Sequence, residues 1–373
     1  MKILPNGSIK LDGIDEELLL SMKDGPKGRK ELVLLAPTKR IGQRRIETFL
    51  KYELIQRPRQ GVYGLTSKGK NYIKKLTPTV AVTLNDPKLQ VLIDLLPTEA
   101  HRALFRLVLS GIVAKYHYFQ IFQNNWPAFI IGGLTGALKT GLANIICQVV
   151  KQLDPTRNIY PLYTAVAGEF GVRRTRSRGG FDISSSPYFK EPFMCFDEFN
   201  CVPNADVKRK VLFFLDGRTE LLDDFEKKIT NHCVPFVTLN TSPRSFGIDE
   251  PYIRRSVVVN TEYVRHQLKN IRRIARKIDR FLSTQKAPRI DLKALSPRGK
   301  RLSEDEFGFL DDLFMENVAE DYKDYLVDTP PLEPLVLGRL TLLGSRDTKE
   351  AIFQIIWDRL ECLETMEGAK DDW

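Results

Sequence analysis

The sequence predicts an α/β protein in which a parallel sheet lies between helices and is preceded by a small α+β domain. Three observations carry this. An apolar run, Phe129-Ile130-Ile131, enters a glycine-rich loop that opens an amphipathic helix. A second run, Phe193 to Phe196, ends on Asp197-Glu198, and a third, within NHCVPFVTLN, ends on Asn240. Continuous apolar runs of this length suit strands buried on both faces, which is the habit of parallel sheets.

The chain has 373 residues, of which 42% are apolar and 28% charged, enough for two or three compact units that each bury a core. No apolar run has the length of a membrane span, and MKILPNGSIKLDG lacks the apolar centre of a secretory signal, so a cytoplasmic location is expected. Five cysteines, Cys147, Cys195, Cys201, Cys233 and Cys362, are scattered without a CxxC pair and read as buried thiols. A zinc set of Cys195, Cys201, His232 and Cys233 fits no compact knuckle and is set aside. The net charge of +10 favours polyanionic partners. Much of it falls in Lys27 to Arg59, in Arg173 to Arg178 and in Arg254 to Arg280.

The N-terminal part, residues 1–80, reads as short helices and a small hairpin. In RIGQRRIETFLKYELI, Ile41, Ile46, Phe49 and Leu50 form one stripe at helical spacing, while Arg40, Gln43, Arg44 and Glu47 project elsewhere. QRPRQGVYGLTSKGK then supplies a turn at Gly61, an extended run Val62 to Leu65, and a helix opened by Thr66 or Ser67. From Ile14 to about Leu76 the chain resembles a winged helix-turn-helix domain, with RRIETFLKYELI as the groove-reading helix and RPRQGVYGLT as the wing. That resemblance implies DNA binding through Arg40, Arg44, Arg45, Arg57 and Arg59. Winged helices also serve as protein-interaction modules.

Residues 81–262 are read as a nucleotide-binding core with leading helices. In PAFIIGGLTGALKTGLANIICQVVKQL, Gly133, Gly136, Lys139 and Thr140 take the places of a phosphate-binding loop, and Leu142, Ile145, Ile146, Val149 and Leu153 make one buried face of the helix. Backbone N–H groups at the helix start can cradle phosphates, with Lys139 reaching the β- and γ-phosphates and Thr140 holding Mg²⁺. Leu138 stands where a glycine usually precedes the lysine. Asp197 is placed in the Mg²⁺ shell, and Glu198 is placed to orient and deprotonate the attacking water.

The loop resembles those of ring helicases and the minichromosome-maintenance family, which often carry a non-glycine residue at the position of Leu138. The order of motifs from about Leu89 to Arg339 resembles AAA+ ATPases. The resemblance implies a five-stranded parallel sheet between helices, followed over residues 263–373 by a helical lid, begun by TEYVRHQLKNIRRIARKIDRFL, and C-terminal helices. It further implies ATP and Mg²⁺ as ligands, Asn240 as the sensor of the γ-phosphate, and Arg255, with Arg254 as alternate, as the arginine finger reaching a neighbouring subunit. Arg339 is the candidate second sensor.

The basic stretch GEFGVRRTRSRGGFDISSSPY reads as a loop. In AAA+ rings, insertions here can grip DNA, which nominates Arg173, Arg174, Arg176 and Arg178; a solvated surface loop is the other reading. The function implied is an ATP-hydrolysing, DNA-stimulated motor or remodeller: a helicase, helicase loader, replication initiator or transposition ATPase. The alternatives are an ATP-sensing DNA-binding regulator with little turnover, and a protein remodeller. Expected partners are DNA, further copies in a ring or filament, and replication or mobile-element proteins, with no membrane.

Overall fold

The computed structural model describes residues 2–3, 9–10, 15, 18–19, 21–22, 26–34, 39–76, 82–122, 126–134, 136–150, 162–163, 172–177, 180–185, 192–199, 215, 220–222, 228–240, 256–261, 271–284, 288–297, 301–318 and 332–367. The chain divides into two compact units, Met1–Val80 and Ala81–Trp373.

In the first unit, β1 (Lys2–Ile3) and β2 (Ile9–Lys10) pair antiparallel. They are followed by β3 (Lys27–Gly28), α1 (Arg29–Leu34), α2 (Lys39–Lys51), β4 (Ile55–Arg59), β5 (Val62–Leu65) and α3 (Ser67–Leu76). Strands β3, β5 and β4 form an antiparallel sheet in that order. Leu18, Leu19, Met22, Leu32, Ile46, Phe49, Leu54 and Tyr63 close the core. The α2 stripe puts Ile46 and Phe49 inside and leaves Arg44 and Glu47 exposed. Thr66 starts α3, its hydroxyl accepting from the Gly69 N–H at 3.0 Å.

The second unit opens with α4 (Pro87–Asp94) and α5 (Glu99–Tyr118). Asp86 caps α4 by accepting from Lys88 N–H at 2.8 Å, ahead of a proline in the first turn. Helix α5 is buried almost along its whole length, which requires cover on several sides. Next come β6 (Ala128–Gly133), α6 (Lys139–Val150), β7 (Leu162–Tyr163), β8 (Val172–Ser177), β9 (Gly180–Ser185), β10 (Phe193–Asp197), β11 (Glu220–Leu222), β12 (Lys228–Thr230), β13 (Val234–Asn240) and β14 (Ser256–Asn260). Helices α7 (Ile271–Thr284), α8 (Glu304–Asn317), α9 (Leu332–Leu343) and α10 (Thr348–Glu367) follow. Ser303 and Glu306 form a reciprocal capping box at the start of α8.

Five strands make a parallel sheet in the order β14-β6-β13-β10-β7. The register sets Phe236 beside Phe129 and Phe193 beside Val234, and the central strands are buried at nearly every position. The mixed α/β architecture with a parallel sheet is consistent with a P-loop fold.

One expectation is corrected. The basic stretch forms an antiparallel hairpin of β8 and β9, with Arg173 opposite Ser184, Arg174 opposite Ile183 and Arg176 opposite Phe181. Val172, Thr175, Phe181 and Ile183 carry the β-branched and aromatic character that favours pairing over a loop. Among the helices after the sheet, α9 and α10 pack on α5, and α10 also covers β14. Helix α9 is buried from Glu333 to Leu342, as an apolar helix without a polar face must be. No described helix is long and apolar enough to cross a membrane.

Helices α9 and α5 approach closely at Gly338 in α9, where an added Cβ would lie 1.9 Å from the Ser110 carbonyl oxygen of α5. Gly338→Ala therefore forces the two backbones apart. We expect thermal unfolding to show a loss of about 2 kcal/mol or more, the cost of overpacking a closed core.

Candidate functional site

The glycine-rich loop gets its shape from backbone positions that few side chains tolerate. Gly133, at the end of β6, has φ +144°, and a Cβ there would fall 1.7 Å from Thr261 Oγ1. Thr261 fastens the end of the sheet, donating from its N–H and its hydroxyl to the Gly132 carbonyl at 2.8 and 2.7 Å. Gly136 has φ +90° and Leu138 has φ +59° immediately before α6 begins at Lys139. The first N–H groups of that helix have no intrahelical partners and make a positive end suited to an anion. Lys139 is buried and curls back, its ammonium donating to the carbonyls of Gly133 and Leu134 at 2.8 Å each.

The tips of β10 and β13 meet this loop. Buried Asp197 accepts from the Thr140 hydroxyl, at 3.0 and 3.1 Å to its two oxygens, and from the Thr238 hydroxyl. Thr238 Oγ1 in turn accepts from the Glu198 N–H at 2.9 Å. That bond turns the chain, and Glu198, with φ +51°, presents an exposed carboxylate. Asn240 Nδ2 donates to Glu198 Oε1 at 3.2 Å. These groups line one cavity of about 600 Å³ whose far wall includes Arg272 and Ala275 of α7.

The donor set suits a nucleotide triphosphate with a hard cation. Lys139, the helix start and Arg272 supply positive charge, while Thr140 and Asp197 offer two oxygens, the small protein contribution that Mg²⁺ takes when phosphates and waters complete its shell. His101 supports the loop from outside: it is fully buried at the start of α5, with Nε2 3.1 Å from the Ala137 carbonyl and Nδ1 2.7 Å from Thr98 Oγ1. Burial pushes its pKa down to about 4, so the ring is neutral at pH 7. A carbonyl only accepts, so Nε2 carries the proton and Nδ1 accepts from Thr98.

The fold thus brings Gly133, Gly136, Lys139, Thr140, Asp197, Glu198 and Asn240 to one place. Arg339 is not brought there. It lies buried in α9, its Nε donating to Ser110 Oγ at 2.9 Å and its guanidinium paired with Asp358, which Arg106 also holds at 2.7 Å. A lone arginine in an apolar helix is here a buried ion-pair residue that ties α9 to α5 and α10. Arg254, Arg255 and Arg178 lie outside the described residues, as do the side chains of Arg40, Arg173, Arg174 and Arg176. In the N-terminal unit Arg44, Arg57 and Arg59 are exposed, with Arg57 over the Tyr63 ring at 5.6 Å. Arg45 instead turns inward to an ion pair with buried Asp15. For the zinc set, Cys195 and Cys233 are buried, and burial raises the Cys195 thiol well above its ordinary range; Cys201 lies outside the described residues. No group of three or more metal-ligating side chains occurs among the described residues.

Sequence reading missed Thr238, Thr261, His101 and Arg272. Thr238 carried a signal, a hydroxyl inside an otherwise apolar run, and Arg272 sat in the basic stretch KNIRRIARKIDR, read as part of the lid and not as part of the site.

No protein-family model matches the sequence, and no curated protein does. Among solved structures the chain is similar to a full-length MCM homolog from Methanopyrus kandleri, at 13% identity and a TM-score of 0.45, over 77% of this chain and 63% of that one. The chain thus spans less than two thirds of that protein's length. It is also similar to a candidate ATPase from Cytophaga hutchinsonii, at 15% identity and a TM-score of 0.43, over 72% of this chain and 84% of that one.

The placement of Arg339 has a direct check. Arg339→Met should lower stability, on the order of 3 kcal/mol for breaking a buried pair, yet leave ATP affinity within about two-fold in calorimetric titration. A loss of affinity without loss of stability would return Arg339 to the ligand.

Proposed function

We propose that the chain is an ATP-hydrolysing P-loop protein of the AAA+ type that acts on DNA as a motor or remodeller. The observation that carries this reading is the convergence of Lys139, the Thr140–Asp197 pair, Glu198 and Asn240 on one cavity at the carboxyl ends of β6, β10 and β13. Ligands of parallel α/β sheets sit at that edge. Five parallel strands between helices also agree with the fold that the motif order implies.

In this reading the loop N–H groups and Lys139 bind the phosphates, exchanging the lysine's bonds to its own loop carbonyls for bonds to phosphate oxygens. Thr140 and Asp197 hold Mg²⁺, which neutralises phosphate charge when bound. Glu198 orients the attacking water and takes its proton, and Asn240 holds the Glu198 carboxylate at the cavity's edge. Arg272 adds a cation facing the phosphates from α7. A finger arginine, Arg255 or Arg254, comes from a neighbouring copy, which requires a ring or filament.

DNA is the proposed partner because three basic segments take no part in the ATP site: the helix carrying the exposed Arg44, the strand bearing the exposed Arg57 and Arg59, and the β8–β9 hairpin with its four arginines in and next to its strands. The first unit is proposed to be a winged helix that engages the duplex, with α2 in the groove and the β4–β5 hairpin as the wing.

Steady-state ATP hydrolysis, measured without DNA, with single strands and with duplex, tests the reading. Turnover should rise with DNA and fall by at least about 100-fold in Glu198→Gln, while Glu198→Gln still binds ATP and Lys139→Ala does not. Nucleotide binding with no DNA-stimulated turnover would favour the ATP-sensing regulator. DNA-stimulated turnover unchanged in both variants would place the chemistry elsewhere.

A further inference from the structure

Leu138 is the place where the loop departs from a glycine, and three features of the structure gather around it. Its φ of +59° is a left-handed conformation that costs an L-residue with a side chain about 1–2 kcal/mol. Its side chain is half-buried and packs against the main core. A Cβ on Gly141, in the first turn of α6, would lie 3.1 Å from Leu138 Cδ2, so glycine there leaves room for the leucine. The peptide between Ala137 and Leu138 is held from the other side, because the Ala137 carbonyl accepts from His101 Nε2 at 3.1 Å.

We propose that His101 is a positioning residue that locks the Ala137–Leu138 peptide, so that the loop keeps the left-handed turn a glycine would adopt unaided. The proposal rests on the nucleotide reading above. His101 is well placed for such a role. Thr98 holds its Nδ1 at 2.7 Å, so the ring cannot rotate away from the carbonyl without losing a second bond. Thr98 also caps α5, and α5 is fixed at its far side by the Glu99–Arg106–Asp358 network. The loop is therefore referred to a rigid, buried helix rather than to its own flexible glycines. If the peptide flipped, the Leu138 N–H would leave the cradle and the side chain would lose its seat beside Gly141.

His101 touches no phosphate in this scheme, so its test must separate positioning from general support of the core. Wild type, His101→Ala, Leu138→Gly and the double variant would be titrated calorimetrically with Mg–ATP, and their thermal unfolding recorded. His101→Ala should weaken ATP binding about ten-fold, the worth of one strong hydrogen bond, and Leu138→Gly alone should bind within about two-fold of wild type. In the double variant, affinity should return to within about three-fold of wild type, although the packing lost at position 101 is still lost. His101→Gln, which keeps an N–H donor, should bind within about three-fold and serves if His101→Ala unfolds. A double variant as weak as His101→Ala, or His101→Ala binding like wild type, overturns the proposal while leaving the ATP reading intact. A wild type that binds no Mg–ATP overturns the ATP reading itself, and the two failures are distinct.

Discussion

The candidate site depends on one buried carboxylate. Asp197 is nearly inaccessible at the tip of β10, and its charge is held by hydroxyls from two other elements, Thr140 on α6 and Thr238 on β13. A buried ionised group without partners is expensive, so these bonds fix the relative positions of helix and strands as well as satisfying the charge. Thr238 passes the constraint on, accepting from the Glu198 N–H and so turning the next carboxylate outward to meet Asn240. The opposed environments of the two adjacent acids, one enclosed and one exposed, follow from this single arrangement.

Helix α5 does for the loop what Asp197 does for the sheet edge. It is covered by α9 and α10, with Gly338 allowing close approach and Asp358 pairing with both Arg106 and Arg339 while Glu99 supplies Arg106 with a second carboxylate. Its buried Lys115 donates to the Cys233 carbonyl at 2.6 Å, just before β13, and desolvation lowers that lysine's pKa to about 8. At its first turn His101 reaches the loop. The helices following the sheet thus support the strand–loop–helix unit through α5.

Much of this was legible in the sequence wherever the signal was local. An apolar run that ends on a polar residue marks a buried strand and its edge, so Lys139, Thr140, Asp197 and Glu198 could be named from their motifs, and Asn240 from its strand edge and the AAA+ resemblance; all five are found at one cavity. Residues that arrive through tertiary packing were not legible. His101 lies 36 positions before the carbonyl it holds, and Arg272 reaches the cavity from a helix whose placement no motif announces. Arg339 was nominated as the second sensor that the resemblance implies, and its partner Asp358, 19 positions on, is brought beside it only by the packing of α9 and α10. The basic hairpin was hidden by its glycines, and α9, mostly apolar, offered no helical periodicity from which its burial could be read.

The central claim is that Thr140 and Asp197 form the metal end of an ATP site. Calorimetric titration of ATP with and without Mg²⁺, on the wild type and on Asp197→Asn, tests it most directly. The account predicts that Mg²⁺ strengthens ATP binding to the wild type by at least about ten-fold and that Asp197→Asn, still folded, loses most of this gain. An undiminished Mg²⁺ effect in the variant would contradict it.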